Sequence, residues 1–374
     1  MAILTQTRVP VFCNVLHETR AAALAAPAAE ICLTFEPACG LIRNAAFDPA
    51  LVDYQPAYEN ALHFSPRFRQ YAEQLADHLV RRYRLAGKRV IDIGCGDGHF
   101  LALLCERGEN TGLGLDPGHD PGRAVLPQRG QAAYERRIYT PDDAGRPVDL
   151  LTCRHVLEHL SDPLAFLQTV REHLARHDAA AYIEVPNALY TLRDMGIWDI
   201  IYEHCNYFTP TALVCLCEQA GLEVIDLHEA FDGQFLGVEL VAATARRQSG
   251  DCGTRLSELV RSFAARYRAK LSQWRSRLDE LRAAGRRAVV WGAGSKGVTF
   301  VNVLHADRSV VTHLVDISPR KAGRYVPLTG QRVVSPQELA RLRPDVVVLM
   351  NLAYRQEVAA QLAELGVSAT LLAA

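Results

Sequence analysis

The sequence predicts an α/β protein: a doubly wound parallel sheet with a second, smaller Rossmann-like domain and an irregular N-terminal segment. Two observations predict this fold. An apolar strand, a glycine-rich turn and a helical pattern follow one another at residues 90–104 and again at 288–297. A second apolar strand then ends in an aspartate, Asp116 or Asp316, each 22 residues after a turn glycine (Gly94 or Gly294). This order is typical of nucleotide-binding units, and 374 residues are enough for two or three domains.

The composition is that of a soluble globular protein, with 49% hydrophobic and 22% charged residues. A net charge of −1 gives no electrostatic reason to expect nucleic acid or an acidic membrane surface as a partner. No apolar run is as long as the roughly 18 residues of a membrane span, and the first ten residues lack the pattern of a signal peptide. The ten cysteines are scattered, which favours reduced thiols and the cytoplasm.

The N-terminal segment, residues 1–66, resembles an incomplete zinc knuckle. Cys13 and Cys39 are the candidate ligands, but Glu36 stands where the partner of Cys39 is expected. A closed structural zinc site needs four ligands, usually in two short-spaced pairs. The segment therefore either binds zinc, with His17, Cys32 or Glu36 completing the set, or is held by apolar packing alone. Tyr58 and Ser65 end it, and they either close over a ligand pocket or pack the segment onto the next domain.

The predicted second domain, residues 67–247, begins with a helix over 67–83 and contains the first glycine turn. Its spacing is Gly94-x-Gly96-x-Gly98, not the Gly-x-Gly-x-x-Gly of a dinucleotide fingerprint. Glycines let the backbone press against a ligand where a Cβ would collide, and an acid at the end of the second strand can bind both hydroxyls of a ribose. A strand over 148–153 then leads to His155, Glu158 and His159, which share one face of a helical turn.

The rest of this domain contains a helix over 164–178 and a strand that ends at Asn187. An insertion loop over 192–201 leads into Tyr202-Glu203-His204, with Tyr207 three residues further on. Thr209 is a suitable N-cap for a helix that ends at Gly221. Two last strands are expected over 223–227 and 235–243.

Residues 248–286 are predicted to form a linker and one long amphipathic connector helix. The third domain, residues 287–374, contains the second glycine turn, Gly292-x-Gly294-x-x-Gly297, with Lys296 inside it and Asp316 after its second strand. This spacing is a dinucleotide fingerprint, so a nicotinamide site and an NAD-dependent oxidoreductase remain an alternative. The lysine, together with the basic stretch around Lys321, also suits an anionic acceptor.

The whole order resembles the nucleotide-sugar C-methyltransferases and their natural-product relatives. These enzymes combine a zinc-knuckle segment, a class I domain that binds S-adenosylmethionine (SAM) and a C-terminal Rossmann-like domain that binds the acceptor's nucleotide. The resemblance implies that SAM is bound by Asp92, Gly94, Cys95, Gly96, Gly98, Asp116, Pro117 and His155, with Tyr58 and Ser65 bordering it. It implies that the acceptor is bound by Gly294, Ser295, Lys296, Asp316, Lys321 and Asn187.

Methyl transfer to carbon needs an enolate, hence a base and a group that stabilises the oxyanion. We expect His204 to be the base, with Glu203 orienting its ring, and Tyr202, Tyr207 or His159 to bond the enolate oxygen. The alternatives are that the Glu-His pair only ties the loop to the core, or that the methyl goes to oxygen or nitrogen. Tyr202 stands where the sugar enzymes have a histidine, which leaves room for another small-molecule acceptor. A monomer or a homodimer is expected.

Overall fold

The computed structural model describes residues 2–52, 58–244 and 256–374. The N-terminal segment forms an antiparallel sheet, which corrects the expectation of an irregular chain. Three of its strands come from this segment itself, and a short helix lies between the first two: β1 (Ala2–Pro10), α1 (Arg20–Leu24), β2 (Ala28–Glu36) and β3 (Leu41–Asn44). In β2 the buried residues Ile31, Leu33 and Phe35 alternate with more exposed ones, as expected for a strand with one covered face.

The central domain is built around a seven-stranded sheet. Its elements in chain order are α2 (Pro66–Arg82), β4 (Arg89–Ile93), α3 (His99–Gly108), β5 (Thr111–Leu115), β6 (Gln131–Glu135), β7 (Leu150–Arg154), α4 (Pro163–His177), β8 (Ala180–Pro186), α5 (Ala188–Leu192), β9 (Asn206–Tyr207), α6 (Pro210–Gln219), β10 (Leu222–Ala230) and β11 (Phe235–Ala242). The strand order is β10-β11-β8-β7-β4-β5-β6. All neighbours in it are parallel except β11, which is antiparallel to both β8 and β10.

The strand order reverses at β4, which pairs with β5 on one side and β7 on the other. Crossovers on opposite faces leave a crevice beyond the carboxyl ends of these strands, which is where doubly wound folds bind ligands. The first glycine turn follows β4, and Asp116 follows β5. The fold therefore brings together the turn and the acid that the sequence singled out.

The strand β9 does not join the large sheet but pairs with β3 and completes the N-terminal sheet. The chain just after Glu203 and His204 is thus fixed to the N-terminal segment. A hydrogen bond from the Asn44 amide to the Cys205 carbonyl, 3.0 Å long, extends this pairing.

The C-terminal domain follows the connector helix α7 (Leu256–Ala283). Its elements are β12 (Ala288–Trp291), α8 (Ser295–Val303), β13 (Val311–Val315), β14 (Arg332–Val334), α9 (Leu339–Leu342), β15 (Val346–Leu349), α10 (Arg355–Glu364) and β16 (Thr370–Ala373). The five strands are parallel, in the order β14-β13-β12-β15-β16. This is the smaller Rossmann-like unit that the sequence predicts.

One apolar core joins the N-terminal sheet, the connector helix and the C-terminal domain. Trp274 of α7 packs edge-on against Phe300 of α8 at 5.1 Å, and Trp198 of the insertion loop packs against the same ring at 4.9 Å. Gln6 of β1 donates a buried 2.8 Å hydrogen bond to Tyr267 of α7. Among the described helices, none combines the length and the apolarity that crossing a membrane requires.

Candidate active site

The first glycine turn leaves one glycine facing open space. Gly94, Gly96 and Gly98 all have positive φ, at +72°, +55° and +88°. A Cβ on Gly94 would lie 2.2 Å from the Val156 side chain, and one on Gly98 2.2 Å from the Tyr134 hydroxyl. A Cβ on Gly96 would meet nothing within 4 Å. Two glycines are thus needed for packing, whereas Gly96 keeps the backbone accessible to a ligand.

Asp116 holds the same turn from the neighbouring strand. Its carboxylate accepts hydrogen bonds from the amides of Gly96 at 2.9 Å and Gly118 at 2.7 Å. No cation among the described residues forms an ion pair with Asp116, so its charge stays available for ligand hydroxyls. The other acid, Asp92, is buried in β4 and accepts a 2.7 Å hydrogen bond from the Thr152 hydroxyl. Burial raises the pKa of Asp92 to about 6.

A cavity of about 430 Å³ lies against this turn. It brings together the predicted catalytic residue His159 and many of the predicted SAM-site residues: Tyr58, Asp92, Gly94, Cys95, Gly96, Asp116, Pro117 and His155. The sequence did not single out other residues that line it, among them His63, Asp97, His99, Tyr139, Arg154 and Arg320. His63 and His99 stack at 3.5 Å between ring centroids.

Two predicted SAM-site residues do not line this cavity. Ser65 is the N-cap of α2: its hydroxyl accepts from the Phe68 amide at 3.2 Å and donates to Glu357 of the C-terminal domain at 2.7 Å. Its assignment to the cofactor site is therefore corrected to a structural role. Gly98 is the N-cap of α3 and packs on Tyr134, so its contribution is to the shape of the turn.

A buried charged group lies beneath the cavity. Arg154 donates to Glu184 at 2.9 and 3.0 Å, its guanidinium lies 4.4 Å from the Phe100 ring centroid, and Tyr71 and Tyr182 also donate to Glu184. His155 Nε2 lies 3.1 Å from the same carboxylate. Burial lowers the pKa of His155, but the carboxylates of Glu158 and Glu184 outweigh burial and raise it to about 9. The two carboxylates thus favour the protonated form of His155.

Glu158, His159 and His204 form a cluster beside the cavity. One ligand atom from each lies within 4.8 Å of the other two. His159 Nδ1 lies 3.0 Å from the Glu203 backbone carbonyl, which can only accept, so in the neutral ring Nδ1 carries the proton and Nε2 the lone pair. Burial lowers the pKa of His204 to about 3. The structure thus places His204, from the segment before β9, beside Glu158 and His159, which follow β7.

Glu203 does not orient His204 through its side chain. Its fully buried carboxylate accepts a 3.0 Å hydrogen bond from the Cys13 amide of the N-terminal segment. Burial raises the pKa of Glu203 to about 7, against the hydrogen bonds of Cys13 and Tyr58, which lower it. The expectation that this carboxylate orients the base is corrected: its backbone carbonyl orients His159 instead.

Tyr202 and Tyr207 do not present their hydroxyls to the cavity. The hydroxyl of the fully buried Tyr202 accepts from the Asp48 amide at 2.8 Å. The Tyr207 hydroxyl donates to the Ile201 carbonyl at 3.0 Å and accepts from the Ile201 amide at 3.2 Å. Their predicted contact with an enolate oxygen is corrected, because the Tyr202 hydroxyl is engaged by Asp48 of the N-terminal segment and the Tyr207 hydroxyl by Ile201 of the insertion loop. Of the predicted oxyanion-binding groups, His159 alone lines the cavity.

The second glycine turn is covered by the chain itself. A Cβ on Gly294 would lie 3.7 Å both from Asn14 of the N-terminal segment and from the Lys321 ammonium. Asp316 accepts from the Ala293 amide at 2.8 Å, and Lys321 lies 3.4 Å from the same oxygen. The buried lysine compensates the charge that would bind a ribose, in contrast to Asp116.

The other predicted acceptor residues lie close to this turn or away from it. Ser295 begins α8, and Lys296 forms an ion pair with Asp199 of the insertion loop. Asn187 is the N-cap of α5: it accepts from the Leu189 amide at 3.0 Å and donates to the Gly233 carbonyl at 2.9 Å. Its assignment to the acceptor site is corrected to a capping role. Acceptor binding by the remaining residues stays a prediction.

Arg320 links the C-terminal domain to the first glycine turn. Its Nη1 lies 2.5 Å from Asp97 in the turn and 3.2 Å from Glu59, and its guanidinium lies 5.7 Å from the Phe64 ring centroid. Sequence reasoning missed this residue because the contact depends on how two domains pack. The sequence signal was its place in the basic stretch that follows Asp316.

The residues of the incomplete zinc knuckle do not fit a zinc ion. Cys13 is buried with its sulfur 3.9 Å from the Thr299 hydroxyl, and Cys39 donates to the Glu36 carboxylate at 3.5 Å. In the described part of the chain, the one group of three or more metal-ligating side chains is the Glu158 cluster. Of the two alternatives for this segment, the structure favours strand pairing with apolar packing over a zinc site at Cys13 and Cys39.

Several known proteins are similar to parts of this chain. A family described as "Methyltransferase domain" matches residues 67–227. C-methyltransferase NovU of Streptomyces niveus is 26% identical over 309 residues, covering 77% of this chain and 72% of that protein. A ubiquinone biosynthesis O-methyltransferase of Aeromonas salmonicida is 31% identical over 163 residues, covering 38% of this chain and 66% of that protein. The solved magnesium protoporphyrin IX methyltransferase of Synechocystis is 16% identical with a TM-score of 0.37, over 47% of this chain and 84% of that one.

Together, the fold, the open glycine turn with Asp116 and the family match define a class I SAM-dependent methyltransferase. The predicted fold class and the predicted SAM cofactor are confirmed. A second family, described as "C-methyltransferase C-terminal domain", matches residues 239–370. The chain is therefore a methyltransferase in which a C-methyltransferase C-terminal domain follows the SAM-binding domain.

Proposed function

We propose that the protein transfers the methyl group of SAM to a carbon atom beside a ketone in a small molecule, with a nucleotide-linked keto-sugar as the leading acceptor class. The observation that carries this proposal is the Glu158-His159-His204 cluster beside the SAM cavity. Transfer to carbon needs a base, and this cluster offers His204, whose ring centroid lies 4.9 Å from that of the cavity-lining His159. The C-methyltransferase C-terminal domain and the likeness to NovU support the same reaction class.

Each group in the site has a task that follows from its position. Bound SAM supplies a methyl group that its sulfonium already activates. The first glycine turn and Asp116 hold the donor, and the enzyme's main contribution is alignment. The imidazole of His204, which burial keeps neutral, accepts a proton from the acceptor carbon, and the Glu158 carboxylate opposes the burial that lowers its pKa. The Glu158 carboxylate, within 4.8 Å, compensates the positive charge that the ring then carries.

The enolate oxygen also needs a partner, and His159 is the residue placed to provide it. Its proton sits on Nδ1 when the ring is neutral, held by the Glu203 carbonyl at 3.0 Å. Donation to an oxyanion from Nε2 therefore requires the ring to be protonated. The nearby Glu158 carboxylate, 4.0 Å from Nε2, favours that form. Burial nevertheless lowers the pKa of His159, so the ring takes up this second proton only together with the negative charge of the enolate oxygen.

A second candidate is methyl transfer to oxygen. A ubiquinone biosynthesis O-methyltransferase matches 38% of this chain at 31% identity, and heteroatom transfer needs little beyond alignment. On that reading His204 would deprotonate a hydroxyl rather than a carbon. Nicotinamide chemistry at the second turn is less well supported, because Lys321 and Asn14 lie over Gly294.

Hydrogen exchange separates the two candidates. A panel of nucleotide-linked keto-sugars is incubated with the enzyme in deuterated water without SAM, and the α-hydrogen is followed by NMR. Carbanion chemistry predicts enzyme-dependent exchange that His204→Gln abolishes and the matched control Tyr202→Phe retains. Methylation of a panel member without any exchange of its α-hydrogen would favour transfer to oxygen.

We place the reaction in the cytoplasm, since all nine cysteines in the described ranges are free thiols.

A further inference from the structure

The Glu158-His159-His204 cluster has the composition of a metal site. One carboxylate and two imidazoles form a three-ligand set that proteins use for zinc, with the fourth position left open. In this cluster the ligand atoms lie within 4.8 Å of one another. Residues 2–52, 58–244 and 256–374 contain no other group of three or more such side chains.

Glu158 is an independent indication that something binds there. The residue is 1% exposed, and neither carboxylate oxygen has a hydrogen-bond partner among the described residues. Its nearest cationic groups are His155 Nδ1 at 3.7 Å and His159 Nε2 at 4.0 Å, both beyond hydrogen-bond length. A buried carboxylate with unsatisfied oxygens is costly, and a cation that coordinates it would remove the cost.

His159 is oriented as metal-binding histidines are. A ligating imidazole almost always donates its other ring N–H to a carbonyl or carboxylate, which fixes the tautomer and the ring plane. Here Nδ1 donates to the Glu203 carbonyl at 3.0 Å, and Nε2 lies 4.0 Å from a Glu158 oxygen. The backbone of the loop that carries His204 thus also sets the second imidazole.

We propose that this cluster binds a divalent ion of the zinc class through a Glu158 oxygen, His159 Nε2 and a ring nitrogen of His204, with the open position toward the SAM cavity. Ligands about 2.1 Å from a tetrahedral ion lie about 3.4 Å apart, so the side chains must close slightly on the metal. The ion coordinates the lone pair of His204 that would otherwise accept the acceptor's proton. It is therefore an inhibitor that competes with the acceptor, and this consequence rests on the proposed function.

Binding is tested with Co²⁺, whose visible spectrum reports coordination, followed by displacement with Zn²⁺. The wild-type protein should bind one ion with a spectrum of nitrogen and oxygen ligands. His159→Ala, His204→Gln and Glu158→Gln should each weaken binding at least tenfold. The matched control is His78→Ala, because His78 also faces a glutamate (Glu239, 2.7 Å away) but belongs to no group of three metal-ligating side chains among the described residues. Circular dichroism and thermal unfolding check that every variant is folded.

Three results would overturn the metal site: no ion bound, a thiolate charge-transfer band showing that cysteines bind it, or equal affinity in the His204→Gln and His78→Ala variants. These results do not depend on any activity, so the site fails or stands separately from the proposed function. Inhibition is tested by adding Zn²⁺ to the exchange assay with the keto-sugar. Loss of exchange that rising acceptor concentration relieves supports the proposal, whereas unchanged or faster exchange with bound zinc overturns the inhibitory role.

Discussion

Replacing Gly96 with alanine should weaken cofactor binding much more than it weakens the fold, and Gly87 offers a matched control. Both glycines have positive φ, +55° and +64°, and a Cβ on either would meet nothing within 4 Å. Each substitution therefore costs the left-handed strain of an L-residue, about 1 to 2 kcal/mol, without a clash. The two differ in location, because Gly96 lines the cavity and Gly87 lies in the turn between α2 and β4.

The added methyl group of Gly96→Ala enters the space that a ligand occupies when it packs against the protein backbone at this position. We expect the Kd for S-adenosylhomocysteine (SAH) to rise at least tenfold, a loss of about 1.4 kcal/mol or more. Calorimetric titration with SAH measures the affinity, and thermal unfolding without ligand measures the strain. Both variants should lose a similar few degrees in Tm, and only Gly96→Ala should lose affinity. Equal SAH affinity in the two variants would refute the assignment of the open glycine to the donor.

Three further predictions concern Asp92, Tyr202 and Arg320. Folding raises the pKa of Asp92 from 3.8 to about 6, so its protonated form suits the folded state and stability falls as pH rises between these values. Asp92→Asn should therefore gain about 2 to 3 kcal/mol over wild type between pH 4 and pH 8 in denaturant titrations; a constant difference would contradict the burial argument. Tyr202→Phe removes the hydroxyl that accepts a hydrogen bond from the Asp48 amide, and it should cost about 1 kcal/mol of stability with turnover nearly unchanged. A loss of turnover comparable with that of His204→Gln would show that this hydroxyl takes part in the reaction. Arg320→Ala breaks the contact with Asp97 and should raise the KM for SAM severalfold while kcat changes less. An unchanged KM would show that the contact between the two domains does not contribute to donor binding.

The parts of the fold that sequence reasoning predicted are the local ones. A strand, a glycine turn and a helix are contiguous in the chain, so the pattern around Gly96 and the one around Gly294 both identify their units. The connector helix was equally visible, because its apolar residues recur with helical spacing over its full length.

The N-terminal sheet could not be predicted in the same way. Its fourth strand, β9, lies more than 160 residues after β3, and its two residues give no strand signal of their own. Long-range pairing of this kind depends on tertiary packing rather than on a local pattern.

The sequence predicted which residues lie near the site but not which way their side chains point. Tyr202 and Tyr207 lie within three residues of His204, and the sequence does not show that their hydroxyls bond Asp48 and Ile201 instead of facing the cavity. The sequence placed Glu158 beside His155 and His159. It did not show that His204 approaches Glu158 and His159, because that contact depends on how the insertion loop folds.

The central claim is that the donor occupies the first glycine turn and that the second turn holds no nicotinamide. The most direct measurement is calorimetric titration of the wild type, Asp116→Asn and Asp316→Asn with SAH and with NADH. We predict that SAH binds the wild type and Asp316→Asn equally well and Asp116→Asn at least tenfold more weakly, a difference of about 1.4 kcal/mol, while NADH binds none of them. NADH binding that Asp316→Asn abolishes, or SAH binding that ignores Asp116, would contradict the account.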